Sequence, residues 1–328
     1  MLRLSCHLLL GAVAALQSPS PCAVPHRALA SIPLTPLVDG DHSTAERLCA
    51  GLRRDSVVLV ELSSGDARIL DRMWACASYY FARSDAEHEA IALHESPFSP
   101  LHGGDQRLAG FKLAGLNVSC LDTRLRRADD GQLEMMPQGL DAVDRDWHEA
   151  LLEAQALLSA IGLAVLTCVR SRVPAARAYD LGMMADGEAA SLEHGVTSAT
   201  VHRLLRYGGG SPAAFGADGA SILFDSHTDA TWFTLIPCSA VPGIEVLTPD
   251  GWCRPEAATT REKHTEVVAV LTGDFLDTLS MREYPAALHR VVRPEGTRDD
   301  RFSAPLLMRA APRYRAARGC EGAQFDCM

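Results

Sequence analysis

The second half of the chain is cut into short apolar runs, and that texture constrains the fold more than any other feature of the sequence. From Val201 onward, Ser221–Phe224, Thr231–Ile236, Ile244–Leu247, Val267–Leu271, Phe275–Leu279, Leu288–Val292 and Phe302–Met308 alternate with breaks rich in Gly, Pro and Asp. Runs of this length between turn residues read as strands. Seven of them at this spacing predict an all-β sandwich or jelly roll.

The first half reads differently. Residues 31–40 form an extended entry segment, and Asp41 or Ser43 is placed to cap a helix running to about Arg54. Val57–Leu62 is a β-rich run bounded by Ser63-Ser-Gly-Asp66, and Asp66 then starts a helix carrying Ile69, Met73, Ala77 and Tyr80 at helical spacing. Residues 95–140 are Gly-, Pro- and charge-rich, and they predict irregular chain with short strands. Asp144 to about Val169 predicts the longest helix, with Trp147, Leu151, Ala154, Leu158 and Ile161 on one face and Gly162 as a weak point in its second half.

With 328 residues and 47% hydrophobic composition, the chain has enough apolar material for a full-sized core. No linker or internal repeat divides it. The expected plan is mainly β with α: an N-terminal α/β region, residues 31–200, packed on a jelly-roll domain at 201–311, with a polar tail at 312–328. Both parts are expected to form one cooperative unit.

Residues 1–30 stand apart from this plan. One positive charge, an apolar stretch from Leu8 to Leu16 and a Ser/Pro-rich break have the shape of a signal peptide. The absence of acidic residues before Asp39, together with Arg27, suits an organelle transit peptide equally well, and a frayed end of a cytoplasmic protein is the third reading. The apolar stretch is too short for a stable membrane span. Acidic residues outnumber basic ones 41 to 31, and no basic run exceeds a pair such as Arg53-Arg54 or Arg126-Arg127. Nucleic acid is therefore not an expected partner. The ten cysteines form no Cys-x-x-Cys pair, which removes zinc-ribbon and thioredoxin readings. Cys76 and Cys168 sit on apolar helical stretches and predict buried free thiols, whereas Cys320 and Cys327 are placed to pair locally. Asn117-Val-Ser119 has the form of a glycosylation acceptor.

The chemistry-bearing residues lie in the β-rich half. His227 and Asp229 are two apart in an extended segment, so their side chains point to one side. His289 follows sixty positions after Asp229, inside the predicted strand Ala286–Val292. Two imidazoles and one carboxylate on one face of an iron leave three positions open, room for a bidentate cosubstrate and for O2. A His-x-Asp triplet alone is common, and a single strand histidine is as readily a packed core residue. A zinc hydrolase also uses two His and one Asp. Arg301 and Ser303, twelve and fourteen positions after His289, face one way at the start of the last apolar run. A guanidinium beside a hydroxyl inside a pocket is costly unless an anion pairs with it, and a dicarboxylate would satisfy both. A surface strand with an exposed Arg is the plain alternative, and a zinc hydrolase leaves the Arg-Ser pair without a purpose.

From about Val201 to Met308, a third of the chain, the sequence resembles the isopenicillin N synthase-like 2-oxoglutarate/iron(II) dioxygenases. The matching stretches are Leu205-Arg-Tyr207, Ser226-His-Thr-Asp-Ala-Thr-Trp-Phe-Thr-Leu-Ile236, and Pro242-Gly-Ile-Glu-Val-Leu247 with Asp250-Gly-Trp252. Val268-Ala-Val-Leu-Thr-Gly-Asp-Phe-Leu276, Ala287-Leu-His-Arg-Val-Val292 and Arg301-Phe-Ser303 follow in order. The resemblance implies a double-stranded β-helix flanked by N-terminal helices. It implies Fe(II) on His227, Asp229 and His289, 2-oxoglutarate on Arg301, Ser303 and Tyr207, O2, and ascorbate as an optional reductant. It further implies a monomeric enzyme that oxidises, most simply hydroxylates, a small organic molecule and releases succinate and CO2. A same-fold oxidase without 2-oxoglutarate and a non-catalytic small-molecule binder are the two alternatives. Asp274 is read as structural. Trp232, Phe233 and Phe224 either line a substrate pocket or fill the core.

Three stretches depart from the family pattern. Glu61-Leu-Ser-Ser-Gly65 stands where an Asn-His-Gly turn is usual, Gly208-Gly-Gly210 replaces two prolines, and Leu205 replaces an Asn. No substrate is implied.

Overall fold

Asp41 acts as its position predicts: its carboxylate accepts the Thr44 amide at 2.7 Å and starts a helix that runs from His42 to Asp55. Caps, glycines and β-branched runs of this kind set the elements throughout the computed structural model. It describes residues 28–83, 109–112, 118–136, 145–170, 172–173, 192–208, 214–216, 218–293 and 296–310. The expected leader up to residue 27, Asn117, the Cys320/Cys327 pair and the tail at 312–328 lie outside them.

The helices are α1 (Leu34–Val38), α2 (His42–Asp55), α3 (Ser64–Phe81), α4 (Arg145–Arg170) and α5 (Asp274–Leu279). The strands are β1 (Ser31–Pro33), β2 (Val57–Glu61), β3 (Ala109–Lys112), β4 (Val118–Arg127), β5 (Leu133–Met136), β6 (Val201–Tyr207), β7 (Ala214–Phe215) and β8 (Ser221–His227). They continue as β9 (Phe233–Pro237), β10 (Ile244–Thr248), β11 (Gly251–Cys253), β12 (Val267–Thr272), β13 (His289–Val292), β14 (Arg301–Ser303) and β15 (Leu306–Met308).

Two sheets face each other as a double-stranded β-helix. The larger runs β1-β2-β12-β9-β15-β6-β4-β3, with β14 also on β6 and β5 on β4. The smaller runs β11-β10-β13-β8-β7. The N-terminal strands are part of the larger sheet, since β2 pairs antiparallel with β12 in the register Val60↔Val268. Cys120, Leu205 and Tyr207 of one sheet meet Leu223, Phe224 and Val291 of the other in the space between them.

The helices cover the outer face of the larger sheet. The buried stripe of α4, Trp147, Leu151, Ala154, Leu158, Ile161 and Val165, belongs to the main core with Met73 and Tyr80 of α3. By length and composition α4 is apolar enough to cross a bilayer, but this stripe commits it to the core. Gly162 does not weaken α4. A Cβ there would meet Met308 Sδ at 2.6 Å, so the glycine lets the helix lie close on β15.

Four expectations need correction. The second helix starts at Ser64 rather than Asp66, because the Ser63 hydroxyl accepts the Asp66 amide at 3.2 Å and serves as the cap. Phe275–Leu279 is helix, not strand: the first amides of α5 find acceptors in the loop beside them, Asp274 N on Asp229 O at 2.8 Å and Phe275 N on Thr231 O at 3.1 Å. The last apolar run is two strands, β14 and β15, broken at Ala304-Pro305. Cys76 and Cys168, expected to be buried, are half-buried.

Candidate metal centre

Strand pairing builds the site. β13 lies antiparallel to β8 with His289 directly opposite His227, so both imidazoles project from one face at neighbouring positions. Their ring centroids are 4.2 Å apart. Asp229 follows in the loop after β8. One of its oxygens lies 3.9 Å from His227 Nε2 and the other 3.6 Å from His289 Nε2. The three ligand atoms all fall within 4.8 Å of one another.

Backbone carbonyls fix the imidazoles. His227 Nδ1 is 2.8 Å from Asp225 O and His289 Nδ1 is 3.0 Å from Ala287 O. Each Nδ1 therefore carries the proton it donates, and each Nε2 keeps its lone pair toward Asp229. Burial lowers the His227 pKa, with the His289 ring as the next cause, so the neutral ligand form is favoured. The Thr234 hydroxyl donates to Asp229 Oδ2 at 2.5 Å. The Asp229 main-chain carbonyl takes the amides of Thr231 and Asp274, each at 2.8 Å. The loop is thus held by β9 from one side and α5 from the other.

Gly273 makes the second hold possible. A Cβ at this position would come within 2.2 Å of both oxygens of Thr231. Two nitrogens and a carboxylate suit a divalent transition metal, since cis ligands at about 2.0–2.1 Å bonds sit about 3 Å apart. The observed separations, 3.6 and 3.9 Å from Asp229 to the two imidazoles, are somewhat wider than that value.

On the larger sheet, β14 pairs with β6 so that Arg301 lies opposite Tyr207 and Ser303 opposite Leu205. All three predicted cosubstrate residues are buried. Burial pushes the Tyr207 pKa up to about 12, against the pull of Arg301 and Arg203, so its hydroxyl remains a donor. Among the described residues, Arg301 Nε completes no hydrogen bond. A buried guanidinium with an idle donor fits an incoming carboxylate.

The aromatic residues divide. Trp232 and Phe233 are wholly buried core, with Trp232 edge-on to Phe275 at 4.6 Å. Phe224 is half-buried, packs edge-on to the His227 ring at 4.8 Å and belongs to the cluster between the sheets.

Three features escaped the sequence reading. Thr234 as a partner of Asp229 is one. Another is the bidentate pair of Arg203 with Asp122, both contacts 2.7 Å, at facing positions of β6 and β4. The third is Glu256, a buried acid 3.0 Å from Arg301. Alternation along β6 places Arg203 with Leu205 and Tyr207, but nothing in the spacing marks Glu256.

Comparison with known proteins agrees with this geometry. Residues 202–310 match the family model of the 2OG-Fe(II) oxygenase superfamily. Among curated proteins none matches the chain. Among solved structures, the chain is similar to a putative oxygenase from Shewanella oneidensis (20% identity, 87% of this chain and 91% of that one, TM-score 0.59). It is also similar to full-length Neurospora crassa T7H in complex with alpha-KG and 5-formyluracil (15% identity, 85% and 84%, TM-score 0.59). A third is the rice dioxygenase for auxin oxidation (15% identity, 87% and 84%, TM-score 0.57). Iron(II), 2-oxoglutarate and O2 are the reactants of this superfamily, and the donor set gathered here fits them.

Proposed function

We propose that the chain is a 2-oxoglutarate-dependent oxygenase, its residues 202–310 matching the 2OG-Fe(II) oxygenase family model, and that it hydroxylates a small organic molecule, with succinate and CO2 as co-products. In this reading His227, Asp229 and His289 hold iron(II), while Arg301, Ser303 and Tyr207 receive the distal carboxylate of 2-oxoglutarate. Iron(II) with 2-oxoglutarate supplies the O2 activation that oxidises an unactivated carbon. The protein's residues bind and orient.

The observation that carries the proposal is the pairing of His289 with His227, which brings two Nε2 atoms and the Asp229 carboxylate to one point. The imidazoles offer unprotonated Nε2 because their Nδ1 protons are committed to Asp225 O and Ala287 O. Asp229 is held by Thr234, so its carboxylate does not swing. Arg301 and the Tyr207 hydroxyl are donors, and a carboxylate with one end at the metal would find both. The half-buried ring of Phe224 beside His227 offers an apolar wall to a substrate. A ring-bearing substrate is consistent with the 5-formyluracil held by the Neurospora crassa structure.

The test is anaerobic addition of iron(II) and 2-oxoglutarate, followed by visible absorption. The wild type is expected to give the weak charge-transfer band of the chelate. Arg301→Ala should need at least tenfold more 2-oxoglutarate to reach it. His227→Ala should lose both the band and succinate release. No band with the wild type, or succinate turnover retained in His227→Ala, removes the assignment.

A further inference from the structure

Arg301 is among the largest wholly buried side chains of the protein, with 1% of its surface exposed. Two groups of the chain already attend to it. Val241 O accepts from Nη1, and Glu256 Oε1 lies 3.0 Å from Nη2. Glu256 is itself 2% exposed and rides on the short 3-10 turn Pro255–Ala258. Its carboxylate meets donors on every side: the amides of Ser239 at 3.0 Å, Gly243 at 2.6 Å and Ile244 at 3.0 Å, and the guanidinium. Both carboxylate oxygens are thus engaged by amides, with the guanidinium beside them.

The pair is balanced in charge but incomplete in hydrogen bonds. The Nη2 contact with Glu256 lacks the alignment of a hydrogen bond, and Nε has no partner among the described residues. Gly243 lets the backbone close on this pair, since a Cβ there would meet Arg301 Cδ at 2.8 Å and Nε at 3.0 Å. Tyr207 and Cys238 border it, and burial holds both in their neutral forms. Without a ligand, the charges of Arg301 and Glu256 therefore cancel.

We propose that Glu256 is a built-in counter-anion of Arg301 that weakens the protein's hold on the distal carboxylate of 2-oxoglutarate and thereby sets its cosubstrate affinity. The proposal rests on the assignment of Arg301 to that carboxylate. An unopposed buried guanidinium would bind a carboxylate with its full charge. Here the incoming anion gains the idle donors but also meets a like charge across the same guanidinium, in surroundings where water screens little. The cost falls on ligands with a distal carboxylate and spares the chelating end. Holding Arg301 in place does not depend on Glu256 alone, because Val241 O and the close packing of Gly243 also confine it. Neutralising Glu256 should therefore tighten binding rather than loosen it.

The experiment uses the full chain loaded with iron(II) under anaerobic conditions, so no turnover enters, and titrates 2-oxoglutarate by calorimetry. Glu256→Gln is expected to lower the dissociation constant at least tenfold. A second titration, glutarate on the metal-free protein followed by thermal unfolding, should show the same tightening without the chelate. Arg301→Ala should weaken 2-oxoglutarate at least tenfold, and adding Glu256→Gln to it should change nothing further. A merely structural Glu256 would not tighten binding. If Arg301→Ala weakens binding but Glu256→Gln leaves it unchanged or weaker, the counter-anion role is overturned and the Arg301 assignment stands. If Arg301→Ala itself changes nothing, that assignment fails. Should Glu256→Gln not fold, Glu256→Asp draws the charge back by one methylene and is expected to tighten binding about threefold; an unchanged constant there overturns the proposal equally.

Discussion

Gly273→Ala tests whether α5 holds the metal loop. The added Cβ would stand 2.2 Å from Thr231 O and Oγ1 and 2.7 Å from Thr231 C. Backbone atoms cannot swing aside as a flexible side chain can, so α5 and the loop must part by about 1 Å. Gly273 has φ −105°, an ordinary value for any residue, so the cost is steric. Three hydrogen bonds cross this contact: Gly273 N to Trp232 O at 3.0 Å, Asp274 N to Asp229 O at 2.8 Å and Phe275 N to Thr231 O at 3.1 Å. Overpacking costs about 1–3 kcal/mol, and each weakened bond adds about 0.5–1.5 kcal/mol. A loss of about 3–5 kcal/mol is expected, which lowers the Tm by roughly 10 °C.

The loss should also reach the metal. Asp229 is carried by the segment that moves, and disturbing such support typically costs about 10–100-fold in metal affinity. The assays are thermal unfolding of the metal-free protein and anaerobic iron(II) titration below the new Tm. Gly65→Ala is the control. It lies exposed in the first turn of α3 with only Ser63 Oγ near its Cβ position, at 3.5 Å, and should stabilise by about 0.5–1 kcal/mol. Wild-type stability in Gly273→Ala would refute the steric reading. Reduced stability with unchanged iron affinity would refute the claim that α5 positions Asp229.

Two further outcomes follow from buried polar groups. His202 is wholly buried, and burial lowers its pKa to about 4, with a hydrogen bond to the Ala304 backbone and the charge of Asp122 offsetting this only in part. An unfolded histidine takes its proton near 6.5, so this contribution is complete above that pH and is lost as pH falls toward about 4. At about 1.4 kcal/mol per pH unit it costs about 3 kcal/mol over that window. Urea unfolding at a series of pH values should show a shallower acid loss in His202→Leu, and parallel curves would show that His202 does not titrate this way. Thr234→Val keeps the side-chain shape but removes the hydroxyl that donates to Asp229 Oδ2 at 2.5 Å. Iron(II) affinity should fall about tenfold or more while the Tm changes little, and an unchanged affinity would mean that Asp229 needs no such support.

The parts of the fold legible in the sequence were those governed by local rules. Asp41, the Val57 run and the long stripe of α4 gave elements within a residue or two, because caps and periodicity act over one or two turns. The misread segment is instructive. Phe275–Leu279 is apolar enough for a strand, yet Gly273-Asp274 at its start supplies a helix entry, and the loop carbonyls that accept its first amides lie more than forty positions away in sequence. Gly162 misled for the same reason, since its purpose is the sulfur of Met308 across the core. His227, Asp229 and His289 were legible because β-alternation fixes the first two and a strand carries the third. That His289 stands opposite His227 is a fact of register, which sequence does not show.

The charged pairs of the larger sheet are the reason the cosubstrate carboxylate is assigned to Arg301 rather than to Arg203 in the proposed function. Arg203 meets Asp122 with both fork contacts at 2.7 Å, so its strongest anion-binding geometry is already spent on a neighbouring strand. Arg301 also has an acid beside it, Glu256 at 3.0 Å, but the fork is not matched: one contact is misaligned and Nε finds no partner among the described residues. A buried arginine in that condition costs stability in the free protein, and the cost is recovered only when a planar anion completes it. A stabilising pair would be expected to look like Arg203 with Asp122. The poorer geometry of Arg301 with Glu256 is what a binding site requires, because a guanidinium perfectly matched by its own chain would have nothing left to offer a cosubstrate.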